Sequence, residues 1–315
     1  MKQILISSCV PDGGIFCYTM QPNKTLRMQQ KLPADRPMYT IFSEGELYVL
    51  ERQPNIQDPN SALCFYLWQK DSFTEVGPCL STKGVVAPHL CLLDGNVYAV
   101  NYLSGSVIKF PNTVVYHQGK GRDPIRQDAP HPHSITPTPD GNLLVADLGT
   151  DHLYVYDKDL HLKSKSSVSP GNGPRHTVFS SEGNRFFCVN ELSSTVSMYS
   201  YENNHIEKID ETEILPENYN GKNLAAAIRF YKGKIYASNR GHDSVACLKV
   251  VNNTLQLERM IPCGGRGPRD FDIFGDVMIC TNENSNSVTV LDLPSGKLLS
   301  SIDLPSPICV TFAET

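Results

Sequence analysis

The sequence predicts an all-β protein, a seven-bladed β-propeller with four-stranded antiparallel blades. Two observations lead to this class. A short β-type segment that ends in a polar residue recurs every 43 to 50 residues, and apolar residues at helical spacing are almost absent. Repeats of roughly 40–50 residues with several short strands in each are typical of propeller blades.

The repeat is clearest in five segments that end in Asn or Asp: Val97–Asn101, Leu144–Asp147, Phe187–Asn190, Ile235–Asn239 and Met278–Asn282. Segments that end at Glu51 and Ser8 extend the series backward to seven units. Units also carry hairpin signals such as Asp140-Gly141, because glycine accepts the positive φ that tight turns need. The spacing therefore predicts seven blades.

The two ends of the chain predict how the ring closes. The first strand, near residues 3–8, has no inner strand before it, whereas Ser306–Phe312 resembles the inner strands of other units. We expect the C-terminal strand to pair with the first one, which satisfies backbone groups that an open edge would expose. Residues 1–315 are then a single propeller domain.

Composition excludes several classes of function. The net charge is −5 and no basic cluster is present, so a nucleic-acid partner is not expected. No apolar run approaches the roughly 20 residues of a membrane helix, so no membrane partner is expected either. The ten cysteines include no Cys-x-x-Cys pair. We interpret them as reduced thiols of a cytoplasmic protein.

Two positions in each blade are expected to point toward one mouth of the channel. One follows the start of the inner strand, and the other follows the Asn or Asp that ends the next strand. Arg, His and Glu recur at these positions, which favours an anion-binding site over a merely solvated funnel. The predicted catalytic residues are His133, Glu191, Arg175 and Arg240. The predicted substrate-binding residues are Arg269, His131, His89, Tyr102, Asn190 and Asn239.

A long loop, His117–Ser134, precedes one inner strand and contains two histidines. In an extended segment His131 and His133 would point to opposite sides. Because they would then not chelate one ion, we expect neither a metal nor another cofactor.

Together these residues resemble the lactonase-family seven-bladed propellers. The resemblance covers nearly the whole chain and depends on a set of motifs: Arg126-Gln127-x-x-Pro130-His131-x-His133-Ser134, Asp147-Leu148-Gly149-x-Asp151, Gly173-Pro174-Arg175-His176, Asn190-Glu191-Leu192 and Ser238-Asn239-Arg240-Gly241-His242-Asp243-Ser244. That family includes 6-phosphogluconolactonases and carboxymuconate lactonising enzymes. In the muconate branch one His, two Arg and one Glu are functional, and the motifs place them at His133, Arg175, Arg240 and Glu191.

The resemblance implies hydrolysis of a small anionic lactone, and 6-phosphogluconolactone is the first candidate substrate. Either His133 or Glu191 would activate water while the arginines hold the anion. A carboxymuconate cycloisomerase and a non-enzymatic binding propeller are the alternatives. The sequence leaves the substrate, the base and the oligomeric state open.

Overall fold

The protein is almost entirely β-structure. In the computed structural model, residues 2–53 and 57–314 are described, and they contain 29 strands and one short 3-10 turn, Glu283–Ser285. The chain divides into two compact units, Met1–Ala87 with Pro262–Thr315, and Pro88–Ile261. Within the described ranges, no helix is long and apolar enough to cross a membrane.

The first unit holds three antiparallel sheets. Their strands are β1 (Lys2–Ser8), β2 (Gly14–Met20), β3 (Leu26–Leu32) and β29 (Pro307–Glu314); β4 (Pro37–Ser43), β5 (Glu46–Glu51), β6 (Ala62–Gln69), β7 (Ser72–Glu75) and β8 (Leu80–Ser81); and β25 (Pro268–Phe274), β26 (Val277–Asn282), β27 (Ser287–Asp292) and β28 (Leu298–Asp303). The strand β8 is an addition that pairs with β6 outside the four-stranded path.

The second unit holds four sheets of four strands each. They are β9 (His89–Leu93), β10 (Asn96–Asn101), β11 (Ser106–Lys109) and β12 (Thr113–Tyr116); β13 (Pro132–Pro137), β14 (Leu143–Asp147), β15 (His152–Tyr156) and β16 (Leu162–Ser167); β17 (Pro174–Phe179), β18 (Arg185–Asn190), β19 (Thr195–Glu202) and β20 (His205–Glu213); and β21 (Leu224–Tyr231), β22 (Lys234–Arg240), β23 (Ser244–Val251) and β24 (Thr254–Pro262). The first strands of these four blades contact one another in order.

The predicted fold class is confirmed: all-β, with seven blades built on four antiparallel strands. The predicted closure is also confirmed, because β29 pairs with β1 from Lys2 opposite Glu314 to Ser8 opposite Pro307. That residues 1–315 form one domain stays a prediction.

Burial of the strands on both faces explains why the repeated segments contain consecutive apolar residues. In β14, Leu143 and Val145 pack in one core cluster, while Leu144 and Ala146 pack in the next. Successive side chains of a strand point to opposite faces, and both faces of β14 are covered by neighbouring blades. Burial on two sides therefore replaces the alternation expected of a half-exposed sheet.

Inner strands of six blades carry a β-bulge near their start. The register with the next strand skips one residue, or two in β21, at these positions: Met38, His133, Arg175, Ala226 with Ala227, Arg269 and Ile308. A bulge leaves the extra residue unpaired and re-aims its side chain. Two of these bulged residues, His133 and Arg175, are predicted catalytic residues, and a third, Arg269, is a predicted substrate-binding residue.

The prediction that all cysteines are reduced thiols is wrong at one pair. Cys64 and Cys79 form a disulfide. The physical reason is strand register: β8 pairs with β6 at Ala62–Ser81 and Leu63–Leu80, so the next pair in register is Cys64 with Cys79. The other eight cysteines are free, and all but Cys9 are buried.

Candidate functional site

The centre of the candidate site is the carboxylate of Glu191, which follows β18 and is 2% exposed. Three guanidinium groups contact it. Arg126 Nη2 lies 2.5 Å from its Oε1, while Arg175 Nε and Arg240 Nη2 lie 2.9 and 3.0 Å from its Oε2. Three positive charges around one negative charge leave a surplus of positive charge in a largely buried place.

Burial by itself raises the pKa of Glu191, but the charges of Arg240 and Arg175 outweigh it and hold that pKa well below its ordinary value. His133 and Arg126 act in the same direction. A carboxylate held by several opposite charges stays ionised at neutral pH. Glu191 is therefore a fixed anion that orders the arginines.

Arg175 is the most deeply buried of the three arginines, at 3% exposure. It is the bulged residue of β17. Besides Glu191, its guanidinium donates to the carbonyl oxygen of Ala226 at 2.7 Å and to His176 Nε2 at 3.2 Å. The Arg175 guanidinium therefore supplies positive charge at the most buried part of the site, and its hydrogen bonds hold it in one orientation.

The other two arginines are more accessible. Arg240 ends β22, and its side chain is 14% exposed; its Nη2 also donates to the carbonyl oxygen of Ala225 at 3.1 Å. The Arg126 side chain is 34% exposed and also forms a hydrogen bond with the side chain of Tyr102. A ligand that enters this site would therefore meet Arg126 and Arg240 before Arg175.

Arg126 lies on the loop between β12 and β13, and buried polar contacts fix that loop. The side-chain oxygen of Gln127 accepts the backbone N–H groups of Arg122 and Asp123, each at 2.9 Å, and its amide donates to the Leu148 carbonyl oxygen at 2.8 Å. Asp123 in turn accepts the N–H of Arg126 at 2.9 Å. Arg126 is thus presented by an ordered loop rather than by a strand.

A second set of contacts joins the end of this loop to β14. Asp147 Oδ1 accepts the backbone N–H of His131 at 2.8 Å, and its Oδ2 accepts His117 Nδ1 at 2.6 Å. Gly149 passes so close that a Cβ atom there would lie 2.0 Å from the carbonyl oxygen of Ala129. Only glycine fits this approach, which explains its place two residues after Asp147.

Histidine rings border the arginines. His133, 5% exposed, meets Tyr102 and His176 edge to face at 5.6 and 5.2 Å between ring centres, and His89 meets His176 at 5.1 Å. Burial, then the charge of Arg175, lowers the pKa of His176 far below its usual value. Burial and the charges of Arg229 and Arg175 lower the pKa of His89 to about 3. His89 and His176 are therefore neutral at physiological pH.

His131 is held in place by contacts with its neighbours. Its ring stacks on Tyr102 at 4.4 Å, Nδ1 donates to the Tyr102 carbonyl oxygen at 2.9 Å, and Nε2 lies 3.1 Å from Asp128 Oδ1. An extended chain would put His131 and His133 on opposite sides. His133 is the bulged residue of β13, and its ring contacts the same tyrosine, Tyr102, edge to face.

Two predicted substrate-binding amides are engaged inside the fold. Asn190 Nδ2 donates to the hydroxyls of Thr195 and Ser197, each at 2.8 Å, and Asn239 Nδ2 donates to the Ile214 carbonyl oxygen at 2.7 Å. Both residues are fully buried. Asn190 connects two neighbouring strands of its blade, and Asn239 connects the end region of β22 to the segment between β20 and β21.

Arg269 belongs to the first unit, and its Nη1 lies 3.0 Å from Glu283 Oε2. Four predicted catalytic residues, in contrast, belong to the second unit. Glu191 directly contacts Arg175 and Arg240, and His133 is near enough for its charge to act on Glu191.

The model of the lactonase family, described as a seven-bladed β-propeller, matches residues 3–312. The chain belongs to this family. The match spans nearly the whole sequence, so it includes every residue of the site.

Known proteins resemble this lactonase-family chain in sequence and, where their structures are solved, in fold. A Staphylococcus saprophyticus protein without an assigned function is 33% identical in an alignment of 234 residues that covers 69% of this chain and 67% of that protein. A Lactobacillus plantarum protein of solved structure is 28% identical, with a TM-score of 0.90 and full coverage of both chains. A candidate 6-phosphogluconolactonase of Bacteroides fragilis is 25% identical, with a TM-score of 0.87 over 99% of this chain and 98% of its own.

Two residues of this candidate site, Arg126 and His176, were not predicted from the sequence. Both belong to motifs of the family resemblance: Arg126 precedes Gln127, and His176 follows Arg175. Neither residue occupies one of the two positions in each blade that were expected to point toward the mouth of the channel. Arg126 reaches the site from a loop. His176 is the residue next to the bulged Arg175, and the two side chains contact each other.

Proposed function

We propose that this protein hydrolyses a small anionic sugar lactone, with 6-phosphogluconolactone, opened to 6-phosphogluconate, as the substrate. The observation that carries the proposal is the convergence of Arg126, Arg175 and Arg240 on the buried Glu191 carboxylate, beside His133. Lactone hydrolysis is the chemistry of the family name, and the phosphorylated substrate is that of the Bacteroides fragilis candidate enzyme.

The charge balance of the site supports an anionic substrate. Guanidinium groups are permanently charged and present paired donors that match a carboxylate or a phosphate. Glu191 neutralises only part of the charge of three such groups. A phosphate or carboxylate of the substrate would complete the neutralisation at Arg126 and Arg240, the two more exposed arginines.

His133 is the general base in this proposal, and Glu191 is a positioning residue. The oxygens of Glu191 already accept from three guanidiniums, and its lowered pKa makes it a poor proton acceptor. The pKa values of His89 and His176 are lowered too far for either to hold a proton near neutrality. His131 is engaged with Tyr102 and Asp128.

The proposed reaction has two proton transfers. His133 takes a proton from water as the water oxygen attacks the lactone carbonyl carbon, and negative charge gathers on the carbonyl oxygen. Guanidinium charge stabilises that oxyanion, which is often the largest catalytic contribution. The carbon–ring oxygen bond then breaks, and His133 returns its proton to the departing alkoxide. No metal takes part in these steps.

An assay with three substrates tests the proposal. 6-Phosphogluconolactone, uncharged glucono-1,5-lactone and a carboxymuconate are compared at controlled pH, with spontaneous hydrolysis subtracted and products identified. We expect turnover of the first substrate, with the highest kcat/KM. Ring closure of the muconate without lactone hydrolysis would indicate the cycloisomerase instead, and no turnover of any would indicate a binding propeller.

Replacing Arg126 by alanine should raise KM for 6-phosphogluconolactone by about 10- to 100-fold, the equivalent of one charge-assisted hydrogen bond. KM for glucono-1,5-lactone should change little, since that substrate lacks the anionic group. Arg185→Ala is the matched control, because Arg185 lies at the opposite end of β18 from Glu191 and pairs with Asn253. Equal loss on both lactones would contradict the assignment of Arg126 to the anion.

Replacing Arg240 by alanine should cost activity far more than stability. We expect kcat/KM to fall by roughly 10²- to 10³-fold, because in this proposal Arg240 both contacts the anionic group and supplies charge that stabilises the oxyanion. Glu191 keeps Arg126 and Arg175 as partners in this variant, so the unfolding midpoint in urea should shift only slightly. Unchanged lactone turnover in Arg240→Ala would remove Arg240 from the mechanism.

A further inference from the structure

A second group of reactive side chains lies in the first unit. A cavity of about 620 Å³ is lined there by four carboxylic residues, a lysine and one sulfur of the disulfide: Asp12, Asp35, Glu51, Glu75, Lys31 and Cys79. The lactonase mechanism uses none of these residues. Their shared property is an excess of groups that bind cations.

Glu51 is the unusual member of this group, because the residue is only 6% exposed. One oxygen accepts the backbone N–H of Asp35 at 3.0 Å. Among the residues described, no lysine or arginine forms an ion pair with it, unlike Glu191. A buried carboxylate that is not balanced by a paired cation is stabilised when a cation binds beside it.

The two cysteines complete a set of metal ligands. One carboxylate oxygen of Glu51 and the sulfurs of Cys64 and Cys79 all lie within 4.8 Å of one another. Glu75 Oε1 lies 4.0 Å from the Cys79 sulfur. Ligands around a tetrahedral zinc ion are roughly 3.7 Å apart, so the set needs only small side-chain movements once the two sulfurs separate.

We propose that reduction of the Cys64–Cys79 disulfide creates a zinc site in which the two thiolates and the Glu51 carboxylate bind the ion. Glu75 or a water molecule in the cavity completes the coordination. Sulfur with carboxylate suits zinc, which accepts both donors, better than it suits magnesium or calcium. The site is structural and redox-gated, and it lies outside the proposed lactonase site.

The chemistry of the switch balances. A phosphine reductant supplies two electrons and takes up an oxygen atom from water, and the two protons of that water protonate the sulfurs as the disulfide bond breaks. Zinc then displaces the two thiol protons and forms two sulfur–zinc bonds. Oxidation by an ordinary disulfide, through thiol–disulfide exchange, releases the ion and restores the bond.

The full-length protein, first treated with a chelator, tests the proposal in two redox states. One half of the protein sample is kept oxidised, and the other half is reduced with a phosphine. Each half is mixed with Zn²⁺ and gel-filtered, and the zinc bound per chain is measured. We expect one zinc per reduced chain and none on the oxidised chain, which serves as a control of identical sequence. Cobalt in place of zinc should give the sulfur-to-metal absorption band only in the reduced protein.

Two variants identify the ligands. Glu51→Gln should weaken zinc binding by about tenfold or more, and Cys79→Ser should abolish the cobalt–sulfur band. Cys9→Ser should keep wild-type zinc binding, since Cys9 is the free cysteine that is not buried.

Reduced protein that binds no metal, or wild-type zinc affinity in Glu51→Gln, would overturn the proposal. If Cys79→Ser does not fold, the two redox states of the wild type still decide. Metal uptake is measured without lactone, so this result is independent of the lactonase proposal.

Discussion

Replacing His133 by glutamine should lower kcat for 6-phosphogluconolactone by roughly 10²- to 10⁴-fold, the contribution expected of a general base. Glutamine can fill much of the ring's space and form hydrogen bonds, but it cannot take a proton from water. KM should change far less than kcat, because Arg126 and Arg240, the proposed anion contacts, are untouched. Steady-state kinetics with spontaneous hydrolysis subtracted provides the measurement.

Two further variants separate proton transfer from packing. His133→Ala leaves a space beside Tyr102 and His176, and added imidazole should restore part of its kcat if the ring acts as a base. His205→Gln, at an exposed position of β20, should keep wild-type activity. A His133→Gln enzyme with unchanged kcat would assign the base elsewhere.

Replacing Glu191 by glutamine should destabilise the protein by about 3–5 kcal/mol, the cost of removing one partner from a buried ion pair. Glutamine has a similar volume, so little of this cost comes from a cavity. It arises because Arg175 stays almost fully buried without its counter-charge. Urea unfolding of the two proteins at pH 7 gives the difference in unfolding free energy. Glu202→Gln, at an exposed site on β19 of the same blade, should change it little.

The pH dependence of that difference has a definite sign. The pKa of Glu191 is lowered by folding from its ordinary value of 4.5. A lowered carboxyl pKa contributes stability that is present above the unfolded pKa and is lost as pH falls toward the folded one. The gap between wild type and Glu191→Gln should therefore be constant near neutrality and shrink below about pH 4.5. A gap that does not change with pH would mean that the ion pairs are not its source.

The positions of the proposed catalytic residues could be predicted only in part. The repeat places Arg175, Glu191 and Arg240 at ends of strands in neighbouring blades, and they do meet in the structure. Arg126 was not predicted, because its position depends on a loop that Gln127 and Asp147 hold against β14. Hydrogen bonds of this kind join residues far apart in sequence and leave no periodic signal.

Asn190 and Asn239 show what recurrence of a residue in a repeat can mean. They were predicted as binding residues because they recur at the ends of blade segments. In the structure the Asn190 amide joins two neighbouring strands, and the Asn239 amide joins its strand to the segment that precedes the blade. A repeated polar residue at a strand end satisfies buried hydrogen-bonding groups in every blade. Recurrence by itself therefore does not distinguish a structural amide from a functional one.

The sequence by itself determined the number of blades, the closing strand and the charge of the site, because these follow from repeat length, apolar runs and residue type. The tertiary structure alone decided which way His133 and Arg175 point, because a β-bulge depends on register with the next strand. It also decided that Glu191 is an ion-paired anion and that Cys64 faces Cys79. Proton affinity and cysteine pairing depend on three-dimensional neighbours, which one-dimensional spacing does not specify.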